Sequence, residues 1–184
     1  PAANASSEGR RFSAMHEAQA RGLSLSQCIE LAELDATPRT ASAPDRIDRL
    51  SLEVVSSGSG FFVSYDGHII TNNHVIDRCK KINAVHNGQE IPDLDVIGSD
   101  KRVDLAILRG NVKPESVAVF RASGSVQRGS DIIAVGFPLQ SILGSQIKVT
   151  RGLVNSTVGM NNDINRVQIS AQIQPGNSGG PLVD

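Results

Sequence analysis

Short apolar runs separated by turn residues dominate the chain from about residue 52 onward. The runs 61–64 and 68–71 flank an Asp66-Gly67 pair, and Asn87-Gly88 separates two more runs. Such dipeptides are typical of hairpin turns, where the backbone needs positive φ. Further strands are predicted at 82–86, 91–97, 104–109, 131–137, 146–150, 152–158 and 166–173. Many short strands without alternating helices favour an all-β sandwich or barrel.

The first 35 residues follow a different pattern. Phe12, Met15 and Ala18 recur every third residue, and Gly22 is suited to end a helix. A second helix is predicted from Ser24 to about Asp35. Ser24 and Gln27 match a capping box, and an apolar face is formed by Leu25, Cys28, Ile29 and Ala32. We therefore predict a helical hairpin over 1–35, with a loosely helical tail as the alternative, and a linker over 36–51.

Length and composition bound the function. The chain has 184 residues and a net charge of −1, so one ordinary domain or two small lobes fit, and charge gives no reason to expect a nucleic-acid or anionic-membrane partner. No apolar run approaches the ~20 residues that span a bilayer. Aromatic residues make up only 3%, so the core must be aliphatic. The first residue, Pro1, fits either a cleaved signal peptide or a trimmed chain.

The two cysteines, Cys28 and Cys79, fit no metal or redox spacing. In an oxidising compartment they could form a disulfide that ties the N-terminal segment to the β domain, which the chain-entropy model values at roughly 3–4 kcal/mol. The alternative is two small buried apolar side chains.

Residues 176–184, Gly-Asn-Ser-Gly-Gly-Pro-Leu-Val-Asp, carry the strongest chemical signal. A serine in a glycine-flanked turn, here Ser178, can act as a nucleophile when a base removes its proton and backbone donors stabilise the oxyanion. A candidate base, His74, follows an apolar run, and a candidate partner for it, Asp104, precedes another. Asp93, Asp95 and Asp100 are alternatives to Asp104 that we expect to cap turns or face water.

The remaining histidines, His16, His68 and His86, have no partner at metal-ligand spacing, and no phosphate-cradling or Cys-x-x-Cys motif occurs. We therefore expect no cofactor.

The chain order His74, Asp104, Ser178 is that of chymotrypsin-like proteases. The segments around these residues, with 57–64, 134–138 and 149–154, resemble the bacterial HtrA (Deg) branch of trypsin-like proteases over roughly 53–184. The resemblance implies His74 as general base and acid, Asp104 as its orienting partner and Ser178 as nucleophile. It also implies an oxyanion hole from the backbone N–H groups of Gly176 and Ser178, with Asn177 between them.

The resemblance also implies a fold of two perpendicular β-barrels with the site in the cleft between them. The protease domain would span 52–184, with the first barrel at about 52–112 and the second at about 113–184. Relatives continue for several strands past the serine motif, so we expect the second barrel to be incomplete in this chain. The PDZ domain that frequently follows the protease domain in this family does not occur within the given sequence. At the predicted floor of the specificity pocket stands Gln172 rather than Asp, which argues against preference for Arg or Lys.

The resulting hypothesis is a serine endopeptidase that cleaves exposed or unfolded polypeptides in the bacterial periplasm or after secretion, with homo-oligomers among its expected states. The alternative is a catalytically silent protease-fold module that binds polypeptides or acts as a chaperone. A zymogen-like gate formed by residues 1–50 is compatible with the first hypothesis.

Overall fold

The computed structural model describes residues 22–31, 52–122, 126–137 and 146–184, with backbone alone for 22–31 and 52–53. The described chain is mostly β-strand and forms a seven-stranded and a four-stranded sheet. This confirms the predicted all-β class. Neither sheet closes into a barrel within the described ranges. The helix predicted around residues 12–18 and the linker predicted at 36–51 lie outside those ranges.

The seven-stranded sheet is built from the first half of the chain in the order β5-β4-β1-β2-β3-β7-β6. Its strands are β1 (Gly22–Leu31), β2 (Leu52–Phe62), β3 (His68–Thr71), β4 (Lys81–His86), β5 (Gln89–Ile91), β6 (Asp95–Asp100) and β7 (Leu105–Arg109). A single turn of helix, α1 (Asn73–Ile76), follows β3 directly. All pairings in this sheet are antiparallel.

Both predicted hairpins are present. β2 and β3 pair across the Asp66-Gly67 turn, and β4 and β5 pair across Asn87-Gly88. Gly67 has φ of +83° and Gly88 has φ of +77°. A side chain is disfavoured at such angles, which is why glycine occupies both positions.

The helix predicted from Ser24 was wrong for Gly22–Leu31, which forms β1 between β2 and β4. The strand pairs on both sides, and those long-range hydrogen bonds override a weak local helical preference. Its register shifts between Leu25 and Cys28 against β2. This irregularity interrupts the two-residue alternation, so the sequence shows a three-to-four-residue spacing instead. This part of the chain therefore belongs to the first sheet.

Other predicted strands differ in their limits. The strand predicted at 91–97 is interrupted around Pro92, which has no N–H to donate, and Asp93, which has φ of +52°. The strands predicted at 146–150 and 152–158 are one strand, because Gly152 pairs with Ile132 inside the ladder instead of ending it. The strand predicted at 166–173 is limited to Gln168–Ile169.

The four-stranded sheet has the order β10-β9-β8-β11. Its strands are β8 (Asp131–Gly136), β9 (Lys148–Ser156), β10 (Gln168–Ile169) and β11 (Leu182–Val183). A 3₁₀ turn (Met160–Asn162) lies between β9 and β10. The glycine-rich serine segment connects β10 to β11, so the second sheet holds both ends of that segment.

Each sheet has its own aliphatic core. The first is formed by Phe62, Ile69, Val75, Ile76, Ile82, Ala84, Ile91, Leu94, Ala106 and Leu108. The second is smaller and comprises Ile132, Ala134, Val154 and Ala171. Phe62 is an exception to the aliphatic composition: its ring is fully buried in the first core and meets His86 edge to face at a centroid distance of 5.2 Å.

Cys79 lies just after α1, packs against the first core and is disulfide-bonded. The backbone of Cys28 pairs with Ile82, three residues beyond Cys79 in the chain.

Phe62→Ala should lower the free energy of unfolding by about 3–5 kcal/mol, because it removes a fully buried ring and leaves a cavity. Urea denaturation followed by circular dichroism would measure this. Tyr65→Ala is the control: that side chain is 62% exposed, so its removal should change the free energy by no more than about 0.5 kcal/mol. Equal effects of the two substitutions would contradict the assigned core.

Candidate active site

His74 is held by the helix α1. Val75 and Ile76, its neighbours in the helix, are buried in the first core, which fixes the helix against the sheet. His74 then faces outward, and its side chain is 56% exposed. The buried side chains of the helix thus hold the imidazole of His74 at the surface in a defined position.

Asp104 faces His74 from the turn between β6 and β7. Its Oδ2 lies 2.8 Å from His74 Nδ1, and its Oδ1 accepts the backbone N–H of His74 at 2.9 Å. A carboxylate can only accept hydrogen bonds, so Nδ1 is the donor in this pair. In a neutral imidazole Nε2 then carries a free lone pair. The Asp104–His74 contact therefore leaves the second ring nitrogen available as a proton acceptor.

The backbone of Asp104 has φ of +56°, in the left-handed region. Asp tolerates this region better than most residues. Just before it, Asp100 Oδ1 accepts the backbone N–H of Arg102 at 2.8 Å, and the Arg102 side chain donates to the same carboxylate. These bonds hold the pKa of Asp100 below its usual range. Asp100 therefore shapes the turn that carries Asp104.

A second ion pair ties this turn to α1. Lys101 Nζ lies 2.9 Å from Oδ1 of Asp77, the residue that ends the helix. The Lys101 ammonium lowers the pKa of Asp77, chiefly by donating a hydrogen bond to it. Asp93 pairs with Lys81 instead. Of the four aspartates considered from the sequence, Asp104 is the one bonded to His74.

Ser178 lies in a loop whose backbone is bonded to the first sheet. Its carbonyl oxygen accepts the backbone N–H of Ser59 at 2.7 Å, and the N–H of Gly179 donates to Asn72 Oδ1 at 2.6 Å. The N–H of Asn177 is used within the loop, by Gln174. By contrast, the backbone N–H groups of Gly176 and Ser178 have no hydrogen-bond partner among the described residues. Within the described part of the chain, two donors in the loop are thus left without a partner.

Asn72 joins the acid turn to the serine loop. While its Oδ1 accepts from Gly179, its Nδ2 donates to the backbone carbonyl of Asp104 at 2.7 Å. Sequence reasoning gave Asn72 no role. The one feature of the sequence that could have pointed to it is the pair of amides, Asn72 directly before the helix and Asn73 at its start.

The described structure joins two of the three residues predicted from the sequence. His74 and Asp104 are hydrogen-bonded, whereas no hydrogen bond between the described atoms links the Ser178 hydroxyl to the His74 ring. In unliganded active sites such contacts are often long and tighten only on substrate binding. Gln172 is exposed on the segment that leads to the serine loop.

A cleft of about 630 Å³ borders the loop at Gly179 and Gly180. It is mainly apolar, and its walls include Phe61, Leu105 and Phe120. Neither His74, Ser178 nor Gln172 lines it. The cleft therefore contains none of the side chains predicted for catalysis or specificity.

Comparison with known proteins gives a consistent result. Residues 58–184 match the family model described as a trypsin-like peptidase domain, and this range includes His74, Asp104 and Ser178. The chain belongs to the trypsin-like peptidase family.

Curated relatives place this member of the family near the Deg proteases. The chain is 35% identical to an uncharacterized protein, y4bJ, of Sinorhizobium fredii over 84% of this chain and 25% of the relative. It is 40% identical to a probable periplasmic serine endoprotease, DegP-like, of Chlamydia pneumoniae over 69% of this chain and 26% of the relative. A DegP-like protein of Marinomonas sp. is 35% identical over 69% of this chain and 27% of its own length. The chain thus spans about a quarter of these relatives, and the predicted resemblance to the HtrA (Deg) branch is confirmed.

A crystal structure of the serine endoprotease from Yersinia pestis has a TM-score of 0.67 and 27% identity to this trypsin-like chain, covering 95% of it and 53% of the other. The described β-sheets are consistent with the fold of that protein. In the described ranges, no helix has the length and apolar character required to cross a membrane.

Gly179→Ala should destabilise this trypsin-like domain more than Gly88→Ala does. Both glycines have positive φ, which costs an L-residue about 1–2 kcal/mol. A Cβ on Gly88 meets nothing within 4 Å, whereas one on Gly179 would clash with both the Ser59 carbonyl oxygen and Thr71 Oγ1. Overpacking of this kind adds about 1–3 kcal/mol. Urea denaturation of both variants would measure the difference, and equal losses would contradict the close contact of the loop with β2 and β3.

Proposed function

We propose that the chain is the protease domain of an HtrA-type serine endopeptidase, with a triad of Ser178, His74 and Asp104. The observation that carries the proposal is the pair of hydrogen bonds between Asp104 and His74. They set the ring orientation and commit Nδ1, so that Nε2 can take a proton. Family membership supports assigning that proton to the hydroxyl of Ser178.

In the proposed reaction, His74 Nε2 takes the proton of Ser178 as its Oγ attacks the carbonyl carbon of a peptide bond. The negative oxygen that forms is stabilised by the N–H groups of Gly176 and Ser178. His74 then gives its proton to the leaving amine, and an acyl-enzyme remains on Ser178. Water, activated by the same imidazole, releases the second product.

Support for the oxyanion hole comes from the loop's hydrogen bonds. Gly176 and Ser178 have free N–H groups among the described residues, while the N–H of Asn177 is occupied by Gln174. Removal of one oxyanion-hole donor typically costs a factor of 10²–10³ in rate. We assign Asn177 the role of a spacer between the two donors.

We further propose that the two sheets belong to the two barrels of the family fold. The proposed substrates are exposed or unfolded polypeptides, and Gln172 is proposed to lie at the pocket that selects the side chain before the cleaved bond. An amide side chain supplies no charge for Arg or Lys, so uncharged residues of small or medium size are favoured. The names of the DegP-like relatives support action in the periplasm. Homo-oligomerisation remains part of this proposal.

A fluorophosphonate probe tests the mechanism directly. Ser178 Oγ should bond to phosphorus as fluoride leaves and His74 takes the serine proton, giving a single adduct that intact mass detects. Ser178→Ala should give no adduct. His74→Ala should slow labelling by about 10²–10⁴-fold, the usual worth of a general base.

Ser99→Ala is the matched control, since Ser99 is an exposed serine on β6; its labelling should equal that of the wild type. Labelling that persists in Ser178→Ala would contradict the nucleophile. Absence of labelling in a folded wild-type chain that still binds unfolded polypeptide would favour a silent binding module.

We also propose that Cys79 pairs with Cys28, which would fasten β1 to the end of α1. The disulfide at Cys79 and the pairing of Cys28 with Ile82 support this. Alkylation should modify the two cysteines only after reduction, and a peptide map should link them. Cys28→Ser should lower the free energy of unfolding by roughly 3–4 kcal/mol. Alkylation of the unreduced, unfolded chain would contradict the bridge.

A further inference from the structure

Ser59 is a small polar residue that is almost fully buried. It lies on β2 with 1% of its surface exposed. A buried hydroxyl must find hydrogen-bond partners or destabilise the fold. Its partners show what the residue does.

The Ser59 hydroxyl is hydrogen-bonded to two backbone groups. Its Oγ–H donates to the carbonyl of Gly176 at 2.6 Å, and its Oγ accepts the N–H of Phe137 at 2.8 Å. Phe137 directly follows β8 in the second sheet. One side chain from the first sheet thus bonds to two separate segments of the second half of the chain.

The backbone of Ser59 adds two further bonds. Its N–H donates to the carbonyl of Ser178 at 2.7 Å, and its own carbonyl accepts the hydroxyl of Thr71 at 2.8 Å. Thr71 is fully buried and ends β3, three residues before His74. Ser59 therefore lies between the strand that precedes the histidine and the loop that carries the nucleophile.

The two carbonyls bonded to Ser59 belong to Gly176 and Ser178, whose N–H groups have no partner within the described ranges. Gly176 has φ of +97° and no side chain, so local sterics leave its backbone free to rotate. A bond to its carbonyl fixes the peptide plane that follows Gly176, and so narrows the φ and ψ through which the N–H of Gly176 takes its direction. The hydroxyl of Ser59 thus restricts the orientation of one proposed oxyanion donor, and its backbone N–H restricts the other.

We infer that Ser59 is a positioning residue for the oxyanion hole: its hydroxyl keeps the Gly176 donor aimed at the reacting carbonyl, and its backbone N–H does the same for the Ser178 donor. This inference rests on the proposed function. Ser59 touches neither substrate nor reacting atoms in this assignment and acts through the loop backbone.

The test compares Ser59→Ala with Asn83→Ala in the 184-residue chain. Asn83 is also buried and polar, and its side chain also makes two hydrogen bonds, to Glu90 and to the N–H of Asp93. Both variants should lose stability in thermal unfolding. Fluorophosphonate labelling is measured over a range of probe concentrations, which separates the maximal labelling rate from the probe concentration at half-maximal rate.

Ser59→Ala should lower the maximal labelling rate at least about tenfold, with the half-maximal concentration unchanged. Outright loss of an oxyanion donor typically costs a factor of about 10²–10³, and Ser59→Ala keeps the donor but removes a bond that orients it. Asn83→Ala should leave both values within about twofold of the wild type. Ser59→Thr, which keeps the hydroxyl, should label faster than Ser59→Ala. Equal maximal rates for folded Ser59→Ala and the wild type would overturn the inference, as would equal slowing in Asn83→Ala.

Amide hydrogen exchange separates this inference from the proposed function. Ser59→Ala should speed exchange of the amides in 176–180 at least about tenfold, without the same change in β3 and β7. This readout needs no chemistry at Ser178. A wild-type chain that does not label would contradict the proposed function, whereas unchanged exchange in 176–180 would overturn the role of Ser59.

Discussion

The register between β3 and β7 is the constraint on which the candidate site depends. The ladder pairs His68 with Arg109 and ends with Thr71 opposite Ala106. The chain continues from Thr71 into the helix with His74, and the strand opposite begins one residue after Asp104. Antiparallel pairing therefore brings the imidazole and the carboxylate to the same end of the ladder. A slip of one residue would turn the side chains of β3 to the opposite face and separate the pair.

Two side chains connect this end of the ladder to the serine loop. Asn72 bonds both the Asp104 carbonyl and the N–H of Gly179, while Ser59 holds the carbonyls on either side of Asn177. Buried polar groups are costly when unpaired, so each hydrogen bond between the serine loop and the first half of the chain disfavours other arrangements of the loop. Because the loop contains three glycines in its five residues from 176 to 180, such external bonds must supply the rigidity that its own sequence lacks.

This arrangement explains how a small aliphatic core can support precise chemistry. The core fixes the strands and α1, but the polar side chains Ser59, Thr71 and Asn72 fix the loop and the acid turn relative to them. Exposed ion pairs, such as Lys101 with Asp77, contribute little to stability on their own. The family match covers these residues, and the relatives are longer proteins in which this unit is about a quarter of the chain.

The local sequence by itself determined the hairpin turns, the all-β character and the candidate chemistry, because turn geometry requires Gly and because the serine, histidine and aspartate motifs are short and contiguous. It misassigned Gly22–Leu31, whose strand depends on two distant partners and whose shifted register hides the alternation. It favoured Asp104 among the four aspartates only through the general preference of Asp for turns and water. Tertiary structure decided that Asp104 meets His74 and that Ser59 and Asn72 hold the loop. These contacts join residues 30 to 119 positions apart, and no local pattern records which distant backbone atom a polar group will find.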